Sequence, residues 1–279
     1  MLTPDLAKKI TSFVALKPRT VQEIALHISR NWRTADAYVE KIAAEQGVLG
    51  VRTFRSGTRG ALKVVYWNSA DSVKGSAVQE RLFEEIRKSR SKQDFSPFEI
   101  YQYAVHKEAF LEDQEDEPST VVQPLIDTLR SAAKQVLIFS GNFSWAHLTA
   151  GKESLLDILG DLSSRGVNVK VLCDIDLFAL ENMEKALAFN KRLGGNAIEY
   201  RHCSQPLRGF VIDDRIVRFK EKKLSKRLAK KQTFIFYTIR DADWAEWTAK
   251  VFWSFFSGSI SASERIKELK SIQKIGRLG

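Results

Sequence analysis

The chain has 279 residues, 44% of them hydrophobic, enough to bury a sizeable core and to divide into two domains. Its formal net charge of +10 favours a polyanionic partner, and the lack of any run of about 18 apolar residues excludes a helical membrane span. Two cysteines, Cys173 and Cys203, are too few for a disulfide framework or a zinc site and read as buried free thiols. The opening MLTPDLAKKI lacks an apolar signal region, so a soluble intracellular protein is expected.

Residues 3–16 read as a leading helix, with Pro4 in its first turn and Leu6, Ile10, Phe13 and Val14 on one face. Thr20 and Glu23 have the spacing of a capping box, and Val21, Ile24, Ala25 and Ile28 form the apolar face of a second, short helix. Ser29-Arg30-Asn31 breaks that pattern. Asn31 or Thr34 then caps a third helix, buried through Ala35, Val39, Ile42 and Ala43 and ended at Gly47, where a left-handed residue is expected. Residues 48–55 and 61–67 alternate as a hairpin around Ser56-Gly57-Thr58-Arg59-Gly60. That order of parts predicts a winged helix-turn-helix.

An α-helix fits the major groove, and in this motif the first residues of the second helix of the pair reach base edges. Here those are Asn31, Trp32, Arg33, Thr34 and Ala37, with Tyr38 and Lys41 flanking. Arg52, Arg55, Thr58, Arg59 and Lys63 lie on or beside the hairpin tip, suited to phosphate or to the minor groove. Residues 1–70 carry eleven Lys and Arg against five Asp and Glu, a net of +6, so double-stranded DNA is the expected partner.

Residues 68–76 are a polar connection, and the balance reverses to a net of −5 over residues 71–120. Helices are predicted over 77–89, through Val78, Leu82, Phe83 and Ile86, and over 97–110, through Phe98, Ile100, Tyr101, Ala104 and Val105, the latter capped by Asp94 or Ser96. The run Glu112-Asp113-Gln114-Glu115-Asp116-Glu117-Pro118 reads as a charged linker. Residues 71–119 are thus expected to be a helical linker region between a DNA-binding domain over 1–70 and a second domain over 120–279.

From Thr120 strand and helix patterns alternate, which argues an α/β domain with a largely parallel sheet. Helices are predicted over 121–133, 155–165 and 177–193, the last two ended by Gly166 and by Gly194-Gly195. Strands are predicted over 135–140, 167–174, 197–202 and 233–240, and a hairpin over 209–219 turning at Asp213-Asp214. Asp241 or Asp243 caps a helix carrying Trp244, Trp247, Val251, Phe252, Trp253 and Phe256, a stripe suited to a core or to an oligomer face. Ser261 or Ser263 caps a final helix with Lys267, Lys270 and Lys274 on a basic face. Residues 215–231 hold nine basic residues and one acidic one, read as a basic loop able to lie along a DNA backbone.

The segments VLIFSGNFSW (136–145), SRGVNVKVLCD (164–174) and above all PLRGFVIDDRIVRF (206–219) resemble the phospholipase D-like superfamily. Active members carry HxKxxxxD in that last segment, the histidine attacking phosphorus and the lysine holding phosphate oxygens. With Asp214 in the aspartate place, Gly209 stands for the lysine and Leu207 for the histidine. Shifting by one puts Arg208 and Pro206 there. His202 lies upstream, His27 and His106 have no motif context, and His147 only follows a strand end. The resemblance therefore implies a phosphodiesterase shape that has lost its nucleophile, and no enzyme. With NWRTADAYVEKIA and RTFRSGTRGALKVVYW in the first domain, the whole resembles archaeal transcription regulators of the wider TrmB-type set. That resemblance implies a cytoplasmic, nucleoid-associated homodimer that binds DNA. No cofactor, metal or membrane is called for, and no effector pocket is legible. The rival expectations are a nuclease of the phospholipase D superfamily and an architectural chromatin protein.

Overall fold

The computed structural model describes residues 2–16, 19–55, 61–67, 76–113, 119–150, 153–195, 197–224 and 232–275. The chain is of the α/β class and divides into two compact units, Met1–Val73 and Lys74–Gly279.

In the first unit α1 (Pro4–Leu16) leads to β1 (Arg19–Thr20), α2 (Val21–His27) and α3 (Trp32–Gln46), followed by β2 (Leu49–Arg55) and β3 (Ala61–Trp67). Ile10, Val14, Ile24, Ala35, Val39, Ile42 and Val65 are fully buried at its centre. The sheet order is β1-β3-β2, so the two-residue β1, unexpected from the sequence, pairs with β3 through Arg19↔Val65 and Thr20↔Val64. This is a winged helix-turn-helix. Its turn residues 56–60, including Thr58 and Arg59, lie outside the described residues.

The second unit contains α4 (Ala77–Lys88), α5 (Phe98–Tyr101), β4 (Lys107–Asp113), α6 (Ser119–Arg130) and β5 (Gln135–Phe139). After a 3-10 turn at Ser144–His147 come β6 (Thr149–Ala150), β7 (Glu153–Ser154), α7 (Leu155–Ser164), β8 (Asn168–Cys173), α8 (Leu180–Arg192) and β9 (Ile198–His202). The chain continues through β10 (Gly209–Ile212), β11 (Ile216–Leu224), β12 (Gln232–Ile239), α9 (Ala242–Ser257), β13 (Ile260–Ser261) and α10 (Ala262–Ile275). Eight strands form one sheet in the order β13-β9-β8-β5-β10-β11-β12-β4. Helices α6, α7, α8 and α10 cover the face bearing Val136, Ile138, Val169 and Val171. On the other face Phe252 of α9 meets Phe139 edge-on at 5.2 Å.

Three expectations are corrected. The sheet is mixed: β5-β8 and β8-β9 are parallel, and the other pairings in it are antiparallel. The helix expected over 97–110 stops after one turn at Tyr101, and 107–113 is instead the edge strand β4, paired with β12 from Lys107↔Ile239 to Asp113↔Thr233. Helical spacing of Phe98, Tyr101 and Val105 lost to the open edge of β12, a tertiary partner that local pattern does not reveal. Residues 74–113 therefore build into the second unit and are no linker, while 114–118 of the acidic run lie outside the described residues. The aromatic stripe of α9 is core: Trp244, Trp247, Val251, Phe252, Trp253 and Phe256 are all buried. Helix α10 is capped by Ser261, whose hydroxyl accepts from Glu264 N–H.

Candidate nucleic-acid interface

Local chemistry sets the helix pair before packing does. The Thr20 hydroxyl accepts from Glu23 N–H at 3.2 Å while the Glu23 carboxylate accepts from Thr20 N–H at 2.7 Å, the reciprocal box expected at the start of α2. The bond from Thr20 N–H, and after it one donated by the Thr20 hydroxyl at 2.9 Å, hold the Glu23 carboxyl below its ordinary value. The Phe13 ring carries the Arg19 guanidinium at 3.8 Å and stacks nearly parallel to the His27 ring at 3.9 Å, which ties α1 to both ends of α2. Ser29 takes a positive φ of 53° to make the tight break between helices. Asn31 then caps α3, its side-chain oxygen accepting from Thr34 N–H at 2.8 Å, and Gly47 closes it in the left-handed region at φ 67°.

Ala35, Val39 and Ile42 face the core, so the opposite side of α3 points outward. Arg33, Ala37 and Lys41 recur there at four-residue spacing and are exposed, with Trp32 beside them 53% exposed. Among the described residues Arg33 has no ion-pair partner. Lys41 pairs with Glu45 at 3.5 Å. Thr34 is half-buried, and Tyr38 packs against the apolar core. The first turn of α3 thus presents a cation and an aromatic ring beside a small residue, Ala37, that permits close approach of another surface.

Lys63 does something the sequence did not indicate. From β3 its ammonium donates to both carboxylate oxygens of Asp36, at 2.7 and 2.9 Å, and to Glu40 at 2.9 Å. These three bonds raise its pKa, those to Asp36 most, and they fasten the hairpin to α3. Lys63 is consequently a brace between wing and helix. Arg52 and Arg55 lie on β2, opposite Val64 and Ala61, with side chains outside the described set. Asp36 and Glu40 were missed because their role depends on a partner some 27 residues away.

In the second unit the motif-like segment lies along β10. Leu207, at the histidine place, is fully buried, and Pro206 is buried too. Gly209, at the lysine place, sits so close to β11 that a Cβ would lie 2.3 Å from the carbonyl oxygen of Arg218. This backbone admits no lysine at 209 without moving a strand. In the alternative register Arg208 donates to the carbonyls of Gln205 and Leu207. Asp213 and Asp214 both take positive φ, 51° and 55°, in the turn expected there. The Asp213 carboxylate accepts the N–H groups of Ala133, Lys134 and Gln135, and Asp214 accepts from the Gln135 amide. Both are occupied with holding β5, and burial pushes the Asp214 carboxyl up.

His202 accepts the Ile175 N–H on Nδ1 at 3.0 Å, and burial pushes its pKa down. His106 is exposed, and the His147 side chain is outside the described set. Cys173 is buried and Cys203 half-buried; both are free thiols whose pKa burial raises. A cleft of about 430 Å³ beside Arg90, His202, Cys203 and Ser259 had no sequence signature. Among the described residues no group of His, Cys, Asp and Glu is arranged to hold a metal ion, and no helix is long and apolar enough to cross a membrane.

No protein-family profile matches the chain, and no curated protein does. Among solved structures it is similar to TrmBL2, described as an archaeal chromatin protein showing a novel mode of DNA binding, at 17% identity and a TM-score of 0.41 over 94% of both chains. It is also similar to Nuc, a phospholipase D family member from Salmonella typhimurium, at 13% identity and a TM-score of 0.40 over 56% of this chain and 98% of Nuc. NucT from Helicobacter pylori aligns over 56% of this chain and 99% of its own length, at 14% identity and a TM-score of 0.39.

Proposed function

We propose that this chain is a DNA-binding regulator that lays α3 in the major groove of duplex DNA and rests its hairpin on the backbone. The observation that carries the reading is the outward row of α3, Trp32, Arg33, Ala37 and Lys41, beside a wing fastened to the same helix by Lys63. Arg33 and Trp32 make the contacts that distinguish bases, with Asn31 and Thr34 shaping the helix start and Tyr38 supporting it from beneath. Lys41, Arg52, Arg55, Thr58 and Arg59 meet phosphates. Homodimerisation is part of the reading on the family resemblance alone, since the aromatic stripe of α9 is buried in its own unit. The second unit is read as non-catalytic, supported by buried Leu207 and by the strand packed against Gly209.

The test is selection of genomic fragments by the full chain, followed by titration of an enriched and a random duplex. A shared sequence among the bound fragments, held more tightly than random DNA, is the expected outcome. Uniform recovery with no shared sequence would replace regulation by chromatin coating. Nicking of a labelled plasmid in the presence of divalent metal would replace it by nuclease activity.

A further inference from the structure

Each outward side chain of α3 and its cap has a definite amount of bonding capacity left to offer a base. In the major groove adenine is held by an amide that accepts and donates side by side, and cytosine by a carboxylate. Guanine is held by a cation with two donors, and the thymine methyl by apolar surface.

Asn31 is the amide at the helix start. Its side-chain oxygen accepts from Thr34 N–H at 2.8 Å, which turns that oxygen into the helix end and away from an adenine edge. Asp36 and Glu40 are the carboxylates of the first turns. Both oxygens of Asp36 accept from the Lys63 ammonium, at 2.7 and 2.9 Å, and Glu40 accepts from it at 2.9 Å. Cytosine thereby loses its reader, and the negative charge that would repel a duplex is compensated. Thr34 is half-buried and Tyr38, one turn on, packs against the core, so that flank faces inward.

What remains is short. Arg33 is exposed and, among the described residues, makes no side-chain hydrogen bond and no ion pair, so its forked donors are available. Ala37, one turn further, is exposed and offers a methyl group. Trp32 flanks the two, 53% exposed, with an apolar ring and a single donor. Lys41 lies a further turn from the helix start and faces Glu45 at 3.5 Å. The four residues from Arg33 to Ala37 rise about 6 Å, the height of about two base pairs.

We propose that α3 reads guanine through Arg33 and thymine through Ala37, about two base pairs apart, which makes Ala37 a specificity-determining residue. This rests on the DNA-binding reading above and adds to it the bases that the helix selects.

The test is selection from a randomised duplex library by the full chain, as wild type, Arg33→Gln and Ala37→Asn. Wild type is expected to return a guanine and a thymine at that separation. Arg33→Gln should exchange the guanine for adenine and keep the thymine. Ala37→Asn should exchange the thymine for adenine and keep the guanine, because Gln and Asn hold adenine by two bonds. A preference gained at one position cannot come from a chain that fails to fold. On the selected duplex, uracil in place of the thymine removes one methyl group and should weaken wild type about 4-fold. In the same duplex, 7-deazaguanine in place of the guanine removes the N7 acceptor and should weaken it about 10-fold. Uracil bound as tightly as thymine, or a preferred base that stays unchanged in the variant meant to exchange it, overturns the proposal, while a shared sequence keeps the regulator reading. No shared sequence from wild type removes both.

Discussion

Helix α3 and strand β11 both carry clustered cations, and they arrange them by opposite rules. On α3 a 3.6-residue period wraps charge around the element, so Lys41 meets Glu45 and Asp36 and Glu40 meet Lys63 of the wing. Arg33 is left as the cation of the first turn, next to Trp32. On β11 a period of two gathers Arg218, Lys220 and Lys222 on one face and sends Glu221 to the other. A single exposed cation with an aromatic neighbour on a rigid helix suits discrimination between surfaces, whereas the strand period sorts charge by face and buries Arg218 against Thr128 of α6.

The largest expected effect comes from removing a buried ring between α9 and the sheet. Phe252 of α9 is fully buried and packs edge-on against Phe139, whose strand adjoins β10 and through it β11. Phe252→Ala is expected to cost the second unit about 3–5 kcal/mol through lost burial and the cavity left behind. Chemical denaturation followed separately in the two units should show the first unit's transition unmoved. A single transition displaced as a whole would deny that the units hold their elements independently.

Next in size is Arg33→Ala, which tests the discriminating half of the comparison. It is expected to cost about 1–3 kcal/mol on an enriched duplex and much less on a random one, read by competition binding at fixed salt. Equal losses on both duplexes would turn Arg33 into another phosphate contact and erase the contrast with β11.

What was legible in the sequence follows the same division between local and distant causes. Thr20 with Glu23, Asn31, Gly47, the Asp213-Asp214 turn and Gly194-Gly195 were readable because their chemistry closes within a few residues. So were most elements of the second unit, since strand 135–139 is a nearly continuous apolar run, 168–173 is largely apolar and 198–202 alternates, each between helices with clear faces. The mixed sheet was not readable, because β10, β11 and β12 join β5 by antiparallel pairing that alternation of strand and helix does not encode. Residues 107–113 looked helical until β12 offered an edge. In the candidate interface the exposed row of α3 was foreseen. The diversion of Lys63 was not, because its partners lie on another element.

A smaller effect should follow from releasing that brace. Lys63→Met leaves Asp36 and Glu40 facing each other without a counter-charge and removes three charge-assisted bonds. All three groups are partly exposed, so solvent screening limits the loss to about 1 kcal/mol of stability in the first unit. Lys63→Arg should retain most of it. Binding to random duplex is expected to weaken in the Met variant with little change in salt slope, because a brace positions the wing without itself neutralising a phosphate. A slope flattened by about 0.9 in Lys63→Met would return Lys63 to the set of backbone contacts.

The smallest effect separates the units by acid. His202 must stay neutral to accept the Ile175 N–H on Nδ1, and burial followed by the Arg265 charge depresses its pKa below the ordinary 6.5, against weaker raising effects of Asp174 and Glu268. Its unfolded form takes up a proton first as pH falls, so the unfolded state binds more protons in the window beginning at 6.5 and running down to the depressed value. The stability it contributes is whole above that window and is lost on descending through it. In the first unit the Glu23 carboxyl of the capping box is depressed from 4.5, and its contribution is lost only as pH falls below that. Asp214, pushed up by burial, acts with the opposite sign, so the comparison is made against His202→Asn, whose side-chain oxygen keeps the bond to Ile175 and cannot titrate. Melting followed from pH 6.5 downward should show the second unit of wild type losing stability before the first, and His202→Asn flattening that early decline. An identical decline in wild type and variant would place the acid sensitivity elsewhere in the second unit.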